Sequence, residues 1–224
     1  MSTGEISVQA HTGRQRREAT QGDLLDATAR LLAAGVPVAS LSVERIVAEA
    51  GIARRTFYLH FKDKQDVITR LAAEQIAWRE QVGAEVLSDP TLSRERLDQL
   101  LVDITAQWIE HKTVLAAMIE MSEYDEQVRA VWDDALRAIA CNVTEHLTRR
   151  WAGRQDGPAD IDSVARVLVW MLERSCHQIT RQPELRERVT AAMAEICWRL
   201  LEFHQVGDRT LAAKRARRRS PPRR

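Results

Sequence analysis

Apolar positions recur at three- and four-residue steps along most of this chain, and that spacing predicts helices. Leu24, Leu25, Ala27, Ala29, Leu31 and Leu32 make a first stripe, running to about Ala34. Thr20 to Asp23 resembles a capping box with Asp in place of Glu, and Gly35-Val36-Pro37 ends the segment. Ile46, Val47 and Ala50 form the inner side of a helix of about two turns. Ser42 is its expected N-cap, because a hydroxyl there accepts from an unpaired N–H of the first turn. Glu44 adds negative charge where the helix dipole favours it. Gly51 comes next, where the chain leaves the helix with positive φ, a conformation that costs glycine little. Ile52 returns to the core. A further helix, starting near Ala53, turns Phe57 and Phe61 inward and Arg54, Arg55, Thr56, Tyr58 and His60 outward.

Lys62-Asp63-Lys64-Gln65-Asp66 opens a fourth helix, with Val67, Ile68, Leu71, Ala72, Ile76 and Trp78 on its apolar side and no breaker before Gly83. Some 20 helical residues span roughly 30 Å. That is longer than a small bundle needs, so this helix is the expected link to the C-terminal part of the chain. Ser88-Asp89-Pro90 breaks the pattern. Helices are then expected over Leu92 to Ile109, Val114 to Met121, Glu123 to Trp151 and Ile161 to about Thr180. A loop covers Ala152 to Asp160, which holds two Gly and a Pro. Pro183 suits the first turn of a last helix reaching about His204. The expectation is an all-α chain of about nine helices. A disordered basic arm covers 1–19, a helix-turn-helix domain 20–66, a larger helical domain 67–204 and a disordered basic tail 205–224.

Composition narrows this picture. With 224 residues, 45% of them hydrophobic, and only nine Gly and six Pro, a sizeable helical core is available. No apolar run approaches the roughly 20 residues of a membrane span. The polar start reads as lacking a signal peptide. Cys141, Cys176 and Cys197 form no CxxC pair and no even set, which suits reduced thiols acting as small buried hydrophobes. A cytoplasmic location is expected. The net charge of +1 is unevenly spread. Residues 1–70 carry 10 Lys/Arg against 8 Asp/Glu, residues 71–204 carry 15 against 23, and residues 205–224 carry 8 against 1. A polyanion is therefore expected at the N-terminal part or the tail and repelled by the middle.

Two short helices around a glycine turn, the second rich in Arg, Thr, Tyr and His, are the design of a DNA-reading helix-turn-helix. A merely solvated face has no need of that set. The run Thr56-Phe57-Tyr58-Leu59-His60-Phe61, the opener Lys62-Asp63-Lys64 with Asp66-Val67, and a divergent helical remainder resemble the TetR family of bacterial repressors. The motif covers about residues 24 to 70. The Trp132 helix and Met171-Leu172-Glu173-Arg174 are similar to the ethionamide-resistance repressor branch of actinobacteria. The resemblance implies a homodimer that binds an operator and leaves it when a small ligand fills the C-terminal domain. It carries DNA contacts over to Thr56, Tyr58 and His60, with His60 equally readable as a packing residue. It carries a phosphate contact over to Lys64. Arg54 and Arg55 stand where the family varies its base contacts, and bidentate Arg–guanine pairing is the usual chemistry. Ser42 and Ala53, at the two helix starts, complete the expected DNA-facing set.

Six tryptophans all lie after residue 70. Aromatic residues at helical spacing are most often core, yet apolar spaces between helices are also where small ligands sit. The expected lining is Leu101, Ile104 and Trp108, then Met118 and Met121, then Trp132, Leu136, Ile139 and Val143, closed by Val169 and Leu172. Thr105 and Asn142 are the nearest polar groups, which favours a hydrophobic effector. The resembled branch has asparagines near Val169 and Leu172 and this chain does not. In the resembled family the last two helices form the dimer bundle, which implies Val164, Leu168, Met193, Cys197 and Leu200 as the expected seam. Burial of that set inside one chain is the other reading of the same periodicity.

No GxSxG, HExxH or P-loop occurs, and no histidine stands at ligand spacing among the acidic residues from Glu120 to Asp134. An enzyme is therefore not expected, nor a metal or organic cofactor. A ligand-independent architectural DNA-binding protein, using the arm (Arg14, Arg16, Arg17) and the tail, is the alternative function.

Overall fold

A computed structural model describes residues 3–153 and 157–202, with side chains described over 15–153 and 157–201. Among these residues the chain forms nine α-helices and no strand. They are α1 (Thr3–Ala33), α2 (Val43–Ala50), α3 (Arg54–Phe57), α4 (Lys64–Ser88), α5 (Arg94–Glu110), α6 (Lys112–Ser122), α7 (Glu126–Trp151), α8 (Ile161–Arg181) and α9 (Arg186–Glu202). Short 3-10 turns occupy Val38–Ser40 and Pro183–Leu185. The all-α architecture of about nine helices is as the periodicity predicts. The tail expected over 205–224 lies outside the described residues.

α1 starts far upstream of the expected cap. Residues 3–19, expected as a disordered arm, are helical and continuous with the rest of α1. No proline interrupts this stretch, and Ala, Gln, Arg and Glu carry the register forward. Thr20 caps nothing: its hydroxyl donates to the Arg16 carbonyl one turn back at 3.0 Å.

The chain divides into two compact units. The first comprises residues up to Val82 together with Gln107–Ile139, so it joins the N-terminal helices to α6 and the first half of α7. α6 packs on α1 and on the Val38–Ser40 turn within this unit. The core here includes Leu24, Ala27, Leu41, Ile46, Phe57, Phe61, Val67 and Ile68, all buried. Inside α1 the buried Thr28 hydroxyl is satisfied by the Leu24 carbonyl at 2.8 Å. On the surface Arg30 pairs with Glu49 of α2 at 2.8 Å.

α4 corrects two expectations. It runs straight through Gly83, which is buried, and ends at Ser88. A glycine within a helix costs about 1 kcal/mol relative to alanine but does not end it. The proline at 90 does, by disfavouring helical backbone at Asp89. The buried stripe of α4 is Ile68, Ala72, Arg79, Gly83 and Val86, and Trp78 lies outside it, exposed. The charged Arg79 thus takes an interior position that Trp78 was expected to hold.

The second unit comprises Gly83–Ala106 and the chain from Ala140. The last carbonyls of α4 have no partner within their own helix. The Leu87 carbonyl is taken by Arg149 at 3.0 Å and lies 2.7 Å from the buried His146 Nδ1, both on α7. Arg94 of α5 bonds Asp98 at 2.7 Å and Glu195 of α9 at 2.6 Å. Asp160 caps α8 by accepting from the Ser163 N–H at 3.0 Å. Leu168, Val169, Cys176 and Ile179 of α8 and Met193, Ala194, Cys197 and Leu201 of α9 are buried, and the two helices pack together.

Candidate nucleic-acid interface

The helix-turn-helix is built by local signals. Ser42 has extended backbone and its hydroxyl oxygen accepts from the Arg45 N–H at 3.4 Å, which starts α2. Gly51 stops it with φ 68°, where an L side chain is strained. The Gly51 N–H donates to Ala48 O and the Ile52 N–H to Val47 O. The exposed Ala53 then starts α3 without a side-chain cap. α3 itself is one turn, and the chain continues as turns through His60. Phe57 and Phe61 are buried with ring centroids 5.8 Å apart, and this pair sets which way the rest of the segment faces.

Arg54, Arg55 and Tyr58 face outward, exposed, as the spacing predicts. Thr56 and His60 are half-buried. Leu59, which sequence reasoning passed over, is 64% exposed. Its signal was its place between two outward polar residues. Arg54 is engaged three ways. It forms an ion pair with Glu44 of α2, its Nη2 donates to the Tyr58 hydroxyl at 3.2 Å, and its guanidinium lies 5.8 Å from the Tyr58 ring centroid. The Tyr58 hydroxyl first, and Glu44 after it, hold the guanidinium above its ordinary pKa. The Glu44 carboxyl sits below its ordinary value, through its backbone N–H and the Ser42 hydroxyl and then through Arg54.

His60 falls between its two expected roles. Its Nδ1 is buried without a hydrogen-bond partner, and burial, with Arg17 second, lowers its pKa. Arg17 of α1 donates to the Leu59 carbonyl at 3.2 Å, so α1 holds the end of the outward segment. Lys64, expected to meet a phosphate, is engaged within the chain. Its ammonium donates to the Val38 carbonyl at 2.8 Å and the Leu41 carbonyl at 2.9 Å and is part-buried. The N-terminus of α4 is closed by carboxylates. Asp63 accepts from the Asp66 N–H at 2.9 Å and Asp66 from the Lys62 N–H at 3.0 Å. Those negative charges oppose a phosphate there.

The expected effector lining divides between the units. In the first, Trp108, Met118, Met121 and Trp132 are buried, and Leu136 and Ile139 are half-buried. Trp108 and Trp132 meet edge to face at 6.4 Å. The surroundings are less apolar than expected. Arg79, 6% exposed, lies 4.9 Å from the Trp108 ring centroid and donates to Gln107 at 2.7 Å, and Gln107 donates to Gln75 at 2.6 Å. The available signal was position: Arg79 lies seven residues after Ala72 and eleven after Ile68, on the buried stripe. In the second unit Leu101, Thr105, Val143 and Val169 are buried, and Ile104, Asn142 and Leu172 half-buried. Thr105 donates to the Leu101 carbonyl at 2.7 Å and meets the Thr190 hydroxyl at 3.3 Å.

The residues expected at the dimer seam differ in exposure. Leu168, Met193 and Cys197 are buried within one chain, and burial pushes the Cys197 thiol up to about 12. Val164 and Leu200 are half-buried. The apolar residues that α8 and α9 leave open are Val167, 59% exposed, Trp170, 54%, and Ile196, 43%. Among the described residues no group of His, Cys, Asp and Glu is arranged to hold a metal, and no helix is long and apolar enough to cross a membrane.

Residues 24–71 match the family model described as bacterial regulatory proteins, tetR family. No curated protein matches the chain in sequence. Solved structures do match in fold. A transcriptional regulator described as putative, from Pseudomonas aeruginosa PAO1, has a TM-score of 0.68 at 14% identity, covering 85% of this chain and 92% of that one. The fatty acid degradation regulator FadR from Bacillus halodurans gives 0.63 at 17%, over 78% and 94%. The transcriptional regulator FadR from Bacillus subtilis, solved in complex with stearoyl-CoA, gives 0.61 at 17%, over 77% and 96%.

Proposed function

We propose that this chain, whose residues 24–71 match the model of the tetR family of bacterial regulatory proteins and whose fold is similar to that of solved transcriptional regulators, is a sequence-specific DNA-binding repressor that leaves its operator when a hydrophobic ligand binds. The observation that carries this reading is the outward Arg54-Arg55-Tyr58 set on a segment fixed by Gly51 and by the buried Phe57 and Phe61. Arg55 and Thr56 read base edges, with Arg55 to guanine. Tyr58 meets a phosphate. Leu59 offers an apolar contact to a thymine methyl. Ser42 and Ala53 bring the starts of α2 and α3 to the backbone of the DNA. Lys64 is a strut for the Val38–Leu41 turn rather than a DNA contact.

Two copies place these segments in successive major grooves, about 34–36 Å apart. The second copy seats on Val167, Trp170 and Ile196 of α8 and α9, the apolar surface those helices leave exposed. The effector is an apolar chain, such as a long fatty acyl thioester. Three things support that chemistry: the buried Trp108, Met118, Met121 and Trp132, Arg79 beside them as a polar anchor, and a fold neighbour described with stearoyl-CoA bound. α6 carries Met118 and Met121 and packs on α1 and the Val38–Ser40 turn. A ligand that displaces α6 therefore presses on the helices that orient α3. It must bind the DNA-incompetent state more tightly, or nothing shifts.

The test is a selection of duplexes from a randomised library with the full chain, repeated with stearoyl-CoA and with stearic acid. The expected result is one enriched two-fold-symmetric sequence whose binding is weakened by one of the two ligands. A chain that enriches no sequence sinks the DNA-reading conclusion. Enrichment that neither ligand alters sinks the effector chemistry alone.

A further inference from the structure

The two outward arginines of α3 have different surroundings. Arg55 is exposed on α3. Arg54 is bound to Glu44, a residue of another helix, and to Tyr58 one turn on. All three side chains are solvent-exposed, so the cluster belongs to the surface and not to the core. Glu44 sits in the first turn of α2, where the helix dipole already stabilises its charge. It therefore remains an anion on the face that meets DNA, a position where a carboxylate repels phosphate.

We propose that Glu44 is a specificity-determining positioning residue, resting on the DNA-reading conclusion above. It holds the Arg54 guanidinium on the Tyr58 ring and hydroxyl and, on non-matching DNA, keeps both from engaging phosphate. On random DNA the Glu44–Arg54 pair stays closed and this face contributes little attraction. On the matching sequence a groove acceptor replaces Glu44 as the partner of Arg54. Exposed ion pairs are weak enough for such an exchange. Glu44 thus lowers affinity for wrong DNA more than for right DNA, which is discrimination by an unfavourable contact. This chain has reason to use such a device. Its N-terminal 70 residues have 10 Lys/Arg against 8 Asp/Glu, so indiscriminate phosphate binding is already restrained there.

The experiment uses the full chain as parent, E44Q, R54A and the double variant. Each is titrated with a duplex enriched from a randomised library and with a scrambled duplex, over a range of salt. E44Q is expected to tighten the scrambled duplex about 3- to 10-fold. It should steepen the dependence of log affinity on log salt by about one phosphate's worth, a slope change near 0.9. It should also lower the ratio of enriched to scrambled affinity. In the R54A background the same change is expected to have little effect on that ratio, since Glu44 acts through Arg54. An unchanged ratio and slope in E44Q overturns the proposal. So does an equal shift with and without Arg54, which makes Glu44 a bulk charge. A parent that enriches no sequence overturns the DNA-reading conclusion, and this proposal with it.

Discussion

The helix-turn-helix and the α8–α9 pair solve opposite problems with the same ingredients. In the first, polar side chains face out because local devices leave them nowhere else. Ser42 starts α2, Gly51 stops it in the left-handed region, and Phe57 and Phe61 anchor the next turn. In the second, the six consecutive apolar residues Val167 to Leu172 turn through more than a full circle of α8, so apolar side chains fall on its polar side as well as its buried one. Leu168 and Val169 are buried while their neighbours Val167 and Trp170 are more than half exposed. A segment with caps and a glycine turn declares its own orientation. A long helix with apolar residues on every side takes its orientation from what packs on it.

That contrast can be broken most sharply at the anchor. Phe57→Ala removes a fully buried ring and should cost about 3–5 kcal/mol of stability by urea unfolding, with DNA binding lost alongside. A loss under about 1 kcal/mol, well below the usual cost of emptying a core site, means the outward face is not fixed from beneath. Next in size, Trp170→Arg should weaken self-association by about 30-fold or more in sedimentation, the scale of a central aromatic anchor. Cys197→Ser, on the same pair of helices but buried, should instead lower stability by about 1–3 kcal/mol and leave self-association of the folded protein unchanged. If the two variants exchange phenotypes, the inside and outside of α8–α9 are assigned the wrong way round.

Within the reading head, Arg55→Ala should remove about 1–3 kcal/mol of discrimination between enriched and scrambled duplexes. Lys64→Met should cost about 1–2 kcal/mol of stability, because the Val38 and Leu41 carbonyls lose a charged donor. It should leave the salt slope of DNA binding unaltered, whereas loss of a phosphate contact lowers that slope by about 0.9. The smallest effect concerns pH. Burial, with Arg17 second, holds His60 below its ordinary 6.5. Its unfolded form therefore binds the proton first. Stability falls as pH drops through 6.5 toward the lower folded value and is fully present above 6.5. His177 acts in the same direction, through burial and then Arg174 and Arg181. His60→Gln should flatten part of the decline between about pH 7 and 5 in unfolding curves. An unaltered slope excludes His60 as a contributor.

The sequence by itself determined the helices, the break at Asp89-Pro90, and the outward face carrying Arg54, Arg55 and Tyr58. The reason is that caps, turn residues and periodicity act within a few residues of one another. It failed where a partner distant in sequence decides. Residues 3–19, which read as an arm and are helix, are the local exception. The ammonium of Lys64 is bound to carbonyls 26 and 23 residues away, a packing role that its place in the sequence did not announce. Trp78 read as interior, but Arg79 took the buried position of α4 beside Trp108 and Gln107. The ion pair of Glu44 with Arg54 joins two helices across a turn, so only tertiary structure placed the anion among the reading cations. Val167 and Trp170 are apolar residues left on the surface of α8, beside its polar side chains. Periodicity fixes which residues share a face, and the neighbour that face finds decides whether it lies inside or out.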